Sequence, residues 1–256
     1  MLAAGITPAS AVFVLERVCR TDGASWGAAL DEPDATAVLK LGWRAGLESW
    51  AEQEIIAGIA ASHPRLVLNQ LVDERTPDAQ LPYELPGLSE ALSNHADDLA
   101  SWMFDRAKTP EVARAEQVVG LALAGGVSEH QARSIASLLD VVDAETLVAV
   151  LELLRFVEIW PLQQPSLARS FLQRADQLGH NITRHVLEAI EGATRLRGVS
   201  WTNGVSDEVN HALTLATRAA EAEPEPRLAA IYAHRIESLH HEVKNIEDRY
   251  ARDTEF

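Results

Sequence analysis

The chain holds a single cysteine, Cys19, and few aromatic residues: Phe, Trp and Tyr make up 5% of 256. One cysteine excludes a disulfide framework and a thiolate metal cluster, and it fits a reducing cytoplasm. Basic side chains are scarce as well, with 22 Lys and Arg against 38 Asp and Glu and a formal net charge of −16. No window gathers the Lys and Arg that a phosphate backbone or an anionic membrane surface demands, so nucleic-acid and membrane partners are not expected. The longest apolar run, Val118 to Val127, has ten residues and includes Gly125-Gly126, too short to cross a bilayer. No basic stretch followed by an apolar core opens the chain, so no signal peptide is expected. Alternating runs of β-branched and aromatic residues, the mark of strands, are almost absent.

What is present points to helices. The apolar fraction is 47%, much of it alanine, the best helix former and one that lets helices pack closely. The fold class read from this is all-α, with about twelve helices. Thr7-Pro8 opens a first helix to about Arg20, and residues 21–36 read as a polar loop. A helix from about Ala37 to Ser62 follows, broken near Gly46. Residues 75–87 hold three prolines and Gly87, the best candidate for an internal boundary. Ser128-Glu129-His130-Gln131 is a capping box, while Asp143, Asn181 and Ser206 are placed to cap later helices. The domain reading is an N-terminal helix and loop, 1–36, then a helical-repeat domain, 37–256.

One phrase recurs: Pro64-Arg65-Leu66-Val67, Pro110-Glu111-Val112-Ala113, Pro165-Ser166-Leu167-Ala168 and Pro226-Arg227-Leu228-Ala229. Proline suits the first helical position, where its missing N–H has no partner to lose. The phrase predicts four helix starts that bury their third and fourth residues alike. Its copies are 46, 55 and 61 residues apart, a helical repeat with uneven hairpins. Such hairpins cannot bury an apolar face alone and make a core by stacking.

The hairpin from Trp50 to Glu74, with Ile55-Ile56 and then His63-Pro64-Arg65-Leu66-Val67, resembles a HEAT- or armadillo-type helical pair. So does the segment Pro165-Ser166-Leu167-Ala168-Arg169-Ser170-Phe171-Leu172. The stretch Trp201-Thr202-Asn203-Gly204 through Pro226-Arg227-Leu228-Ala229 resembles the helical-repeat tails of large bacterial P-loop proteins. The resemblance covers about the last 210 residues. It implies a right-handed α-solenoid that holds or senses a protein partner. No Gly-x-x-x-x-Gly-Lys-Ser/Thr loop stands in the chain, so a nucleotide site is not implied.

Three patterns come near a catalytic or metal-binding motif without meeting its requirements. Gly23-Ala24-Ser25-Trp26-Gly27 has the nucleophile-elbow spacing, but that turn needs a buried strand before the serine, and Cys19 to Asp22 is polar. His234, Glu237 and His241, in a helix that also holds His240, share a face that suits a divalent metal, yet the His-Glu-x-x-His order is missing. Asp97, Asp98 and Asp105 form an acidic helix face better read as solvated. No catalytic residue, cofactor site or metal site is assigned.

The clearest signal lies at the C-terminus. Tyr232, Ile236, Leu239, Val243, Ile246 and Tyr250 step by four and three, a heptad seam. It predicts either packing along the preceding hairpin or self-association. Trp43 and Trp50 read as core, whereas Trp201 beside a turn is a candidate interface anchor. The expected function is a non-catalytic protein-binding scaffold or sensor in the cytoplasm. The first hundred residues hold 15 acids against 6 bases, so the expected partner surface is basic. The alternatives are an all-α enzyme with a carboxylate or histidine site between helices, and a helical oligomerisation module.

Overall fold

The computed structural model describes residues 22–45, 50–73, 85, 87–109, 112–197, 199 and 206–254. The side chains of 41–45, 50–53, 73, 112–113 and 249–254 lie outside the description. Every regular element among the described residues is a helix. The chain divides into two compact units, Met1–Gly125 and Gly126–Phe256.

The first unit contains α1 (22–28), α2 (Glu32–Ala45), α3 (Trp50–Ser62), α4 (Pro64–Asp73), α5 (Leu88–Ser93), α6 (Ala96–Arg106) and α7 (Val112–Ala122). Residues 21–36, expected as a loop, carry α1 and the start of α2 instead. The reason is local. The Asp22 carboxylate accepts from the Ser25 N–H at 3.2 Å and Asp31 accepts from the Asp34 N–H at 3.0 Å, so each Asp caps a helix. Pro33 sits in the first turn of α2, where it costs no helical hydrogen bond. Glycine permits the close approach of α1 to α3. A Cβ on Gly27 would stand 2.5 Å from the Ile55 carbonyl oxygen, and one on Gly58 would collide with the Ala24 carbonyl.

Within this unit α2 packs on α3 and α4, α3 on α4 and α5, α4 on α6 and α7, α5 on α6 and α7, and α6 on α7. The second helices start at Glu32, Pro64 and Ala96, in steps of 32 residues. Burial repeats with them. Ala35, Val67 and Leu99 are each fully buried, as are Leu39, Leu71 and Met103 four residues on. The donors in the turns keep the same step, while the acceptors Leu30 and Ala61 are 31 residues apart. The Ser62 hydroxyl donates to the Ala28 carbonyl at 2.7 Å. His63 donates from Nε2 to the Leu30 carbonyl at 2.9 Å, and His95, 32 residues later, donates to the Ala61 carbonyl at 2.8 Å.

The second unit contains α8 (Glu129–Leu139), α9 (Ala144–Leu153), a 3-10 turn (Leu154–Phe156), α10 (Trp160–Gln163), α11 (Pro165–Leu178), α12 (His180–Ala193), α13 (Asp207–Ala222) and α14 (Pro226–Thr254). The capping box forms: Ser128 accepts from the Gln131 N–H, and the Gln131 side chain accepts from the Ser128 N–H. Asp143 and Ser206 cap α9 and α13. Asn181 does not cap α12, which already starts at His180 after Gly179 at φ 124°. The helix capped by Asp143 ends at Leu153, and a 3-10 turn follows. Pro161 lacks an N–H and its ring would collide with the carbonyl four residues back, so the chain must leave the helix upstream. It does so through Ile159, a β-branched residue held at φ 48°, a conformation that costs about 1–2 kcal/mol.

Packing in this unit pairs α8 with α11, α9 with α12, α10 with α13, α11 with α12, and α13 with α14. A turn again grips an earlier turn. The Gln163 Oε1 accepts from the Val127 N–H at 3.0 Å while the Gln164 amide donates to the Val127 carbonyl at 2.8 Å. Arg174 donates from Nε to the Val142 carbonyl at 2.9 Å and also from Nη2.

The proline phrase opens α4, α11 and α14 as expected, while Pro110 and Glu111 lie outside the described residues. Burial of its third and fourth residues is uneven. Leu167 and Ala168 are both buried, but Leu66 and Ala229 are only half-buried. The three helices have different neighbours, so the same phrase meets different surroundings.

Alanine is ordinarily a better helix residue than glycine by about 0.5–1 kcal/mol. Gly192, on α12 with nothing within 4 Å of a Cβ, should gain about that much in Gly192→Ala. Gly58→Ala should instead lose about 1–3 kcal/mol, because its Cβ has to displace the α1 backbone. Thermal and urea unfolding of both variants distinguishes the two signs, and equal signs would refute the close α1–α3 crossing.

Candidate functional site: the C-terminal hairpin

Helix α14 meets α13 along a stripe of small residues. Val209, Ala212, Ala216 and Ala219 of α13 are buried, which leaves room for large side chains opposite. The buried positions of α14 are Leu228, Tyr232, Arg235 and Leu239. The heptad seam is therefore split. Tyr232 and Leu239 are fully buried inside the chain, whereas Ile236, Val243 and Ile246 are half-buried. The Tyr250 side chain and the whole of Trp201 lie outside the described residues.

Arg235 occupies a place in the stripe where an apolar residue would be expected. Only 6% of it is exposed. Its guanidinium donates to Glu242 at 2.9 Å and to the Ser238 hydroxyl at 3.3 Å, two turns and one turn along the same helix. Its Nε is buried without a partner among the described residues. Burying that charge is costly, and Glu242 offsets the cost.

The start of the hairpin is fastened to α11 by two clusters. The Glu223 carboxylate is fully buried and accepts from Arg169 Nε at 2.8 Å, Arg169 Nη2 at 3.0 Å and the Glu225 N–H at 3.0 Å. Arg227 donates to both oxygens of Asp176, at 3.0 and 2.8 Å, and to Glu225 at 2.7 Å. The hydrogen bonds from Arg227 hold the carboxyls of Asp176 and Glu225 below their usual range, and the Thr183 hydroxyl adds to the effect on Asp176. Between the clusters the Tyr232 hydroxyl donates to the Pro161 carbonyl at 3.2 Å. Burial, reinforced by the Glu223 charge, pushes the Tyr232 phenol above its ordinary value. Tyr232 is thus a protonated donor at any physiological pH, anchoring α14 to the bend around Ile159.

The other candidate residues are dispersed. His234, Glu237, His240 and His241 are exposed along α14. No group of three or more potential metal ligands comes together among the described residues. Asp98 lies 3.6 Å from His95, three residues before it, and Asp105 pairs with Arg65 of α4. Ser25 stands in helix α1, not on a strand-to-helix turn, and Gly23 and Gly27 face α3. The side chains of Trp43 and Trp50 lie outside the description. Trp102 is buried, and its indole N–H donates to Asn69 at 2.9 Å. No helix among the described residues is long and apolar enough to cross a membrane.

Sequence reasoning missed Arg235 as a member of the buried stripe and Glu242 as its partner, because charged residues beside a heptad seam ordinarily flank it. The signal was present in α13: three alanines at helical spacing announce a neighbour that is large. His63 and His95 were also missed as structural donors, though both directly precede a second helix.

No family model, curated protein or solved structure matches this chain.

Two outcomes follow for the clusters. Removing one member of a buried pair strands the other, at about 3–5 kcal/mol when both are fully buried. Arg169 keeps 32% of its side-chain exposure, so Glu223→Gln should cost less, about 2 kcal/mol, and Arg169→Met with Glu223→Leu should recover most of it. Chemical denaturation of the three proteins checks this. The second outcome concerns acid. A carboxyl with a depressed folded pKa stabilises the fold above its unfolded pKa, about 4, and that contribution vanishes as pH falls through the folded value. The native chain should therefore lose stability below about pH 4 more steeply than Arg227→Gln, in which Asp176 and Glu225 have lost their common partner. Equal slopes would mean that the Arg227 cluster is not formed.

Proposed function

We propose that this chain is a non-catalytic protein-binding scaffold or sensor module, a right-handed solenoid of helical hairpins that works in the cytoplasm on a partner with a basic surface. The observation that carries the reading is the 32-residue register of the second helices of the first unit, shared by their starts, their buried positions and the turn donors His63 and His95. A hairpin that contacts its neighbours at one fixed step is the unit of a repeat array. The step is shorter than the about 40–47 residues of HEAT and armadillo units and close to the about 34 residues of the tetratricopeptide hairpin, so the reading rests on stacked hairpins in general.

The charge supports the choice of partner. Glu32 and Asp34 are exposed on α2 and Asp97 on α6, and the chain carries −16 overall. A field of that sign accelerates encounter with a basic surface and repels polyanions. Among the described residues of this unit, Arg65 holds Asp105 and Arg106 donates to Asn69 at 2.8 Å.

Affinity capture from native lysate at low and high ionic strength, read by mass spectrometry, tests the proposal. The expected result is a defined basic protein retained at low salt and released as salt screens the acidic face. Capture of nothing at either salt, together with metal-dependent turnover of a small molecule by the purified chain, would overturn it in favour of an enzyme.

A further inference from the structure

Between α9 and α11 the second unit bends through the 3-10 turn and α10. Both ends of the bend are held. Upstream, Arg197 donates to the Arg155 carbonyl at 2.8 Å and lies over the Phe156 ring, 5.1 Å from its centroid. Downstream, Pro165 begins α11, which packs on α8, α9 and α12. Between these ends stands Ile159, the one non-glycine residue at positive φ among the described residues. That torsion strains a β-branched residue, and such strain persists only where the surroundings hold it. The holding contacts follow Ile159 in the chain. The Pro161 carbonyl accepts from the Tyr232 hydroxyl at 3.2 Å. Gln163 Oε1 accepts from the Val127 N–H at 3.0 Å, and the Gln164 amide donates to the Val127 carbonyl at 2.8 Å.

We propose that residues 159–164 form a two-state latch that couples the docking of α14, at Tyr232, to the start of α8, at Val127. One torsion governs all three contacts. When Ile159 relaxes to negative φ, the segment carrying Pro161, Gln163 and Gln164 turns as a piece, and its bonds to Tyr232 and Val127 part together. Tyr232 and Val127 are each bonded to this segment, so each biases the same equilibrium, and the coupling runs equally in both directions. A change that loosens α14 at Tyr232 therefore frees both backbone groups of Val127. The latch lies wholly within the second unit and is independent of the scaffold reading.

Native-state hydrogen exchange of the full chain, read by NMR at low urea, tests the latch. The amides of Val127, Leu162, Gln163 and Gln164 are all bonded within or onto the segment. They should share one protection factor, below that of Phe171 and Leu172 in α11. Tyr232→Phe removes a single donor and should speed exchange at all four by the same factor, about fivefold, the worth of one hydrogen bond. Gln164→Met, which takes the donor from the Val127 carbonyl, should speed Leu162 and Val127 together and does not disturb Tyr232. Four unrelated protection factors, protection equal to that of α11, or a Val127 amide indifferent to Tyr232→Phe would each overturn the proposal.

Discussion

The carbonyls at the C-terminal end of a helix have no partner within it, and in the first unit they are answered by the turn of the next hairpin. The Ala28 and Leu30 carbonyls at the end of α1 receive Ser62 and His63, and the Ala61 carbonyl at the end of α3 receives His95. A half-buried carbonyl left without a donor, as Leu30 would be without His63, costs about 1–3 kcal/mol, while the exposed contacts of Ser62 and His95 repeat the same placement of donors. Once the turns are matched, the second helices are in step, and Ala35, Val67 and Leu99 fall at equivalent buried places. Size varies at that place while burial does not. That is how a core looks when backbone spacing, more than side-chain identity, is what repeats.

The second unit solves the same problem with longer donors. Gln163 and Gln164 grip both backbone groups of Val127, and Arg174 reaches the Val142 carbonyl. The distortion at Ile159 belongs to this solution. Pro161 prevents α9 from continuing, and the left-handed residue turns the chain so that Gln163 and Gln164 arrive at Val127. Trp160 is buried there with its ring 5.7 Å from that of Phe171, and burying an aromatic of this size outweighs about 1–2 kcal/mol of backbone strain.

How much of this was legible depends on how local each cause is. Ser128, Asp143 and Ser206 were readable as caps because a cap needs only the next three residues. The all-helical class was readable from alanine and from the absence of alternating strands. The helices within 21–36 were hidden because their signals, Asp22, Asp31 and Pro33, also spell a loop, and only packing against α3 chooses between the two. The register was hidden for another reason. The proline phrase marks helix starts, but Pro64, Pro165 and Pro226 open helices in different settings, so the distances between them do not measure the repeat. The residues that do measure it, His63 and His95, act on carbonyls, which have no letter in a sequence.

Arginine shows where stability and surface character separate. Arg169, Arg227 and Arg235 are tied to Glu223, to Asp176 with Glu225, and to Glu242. Each pair cancels a base against an acid, and with 22 bases against 38 acids every cancellation raises the acidic share of the charge that remains. Arg235 goes further by entering the buried stripe, where an apolar residue would pack at lower cost. In return, its hydrogen bonds to Ser238 and Glu242 tie two successive turns of α14 together where full burial gives way to half-burial, between Leu239 and Val243.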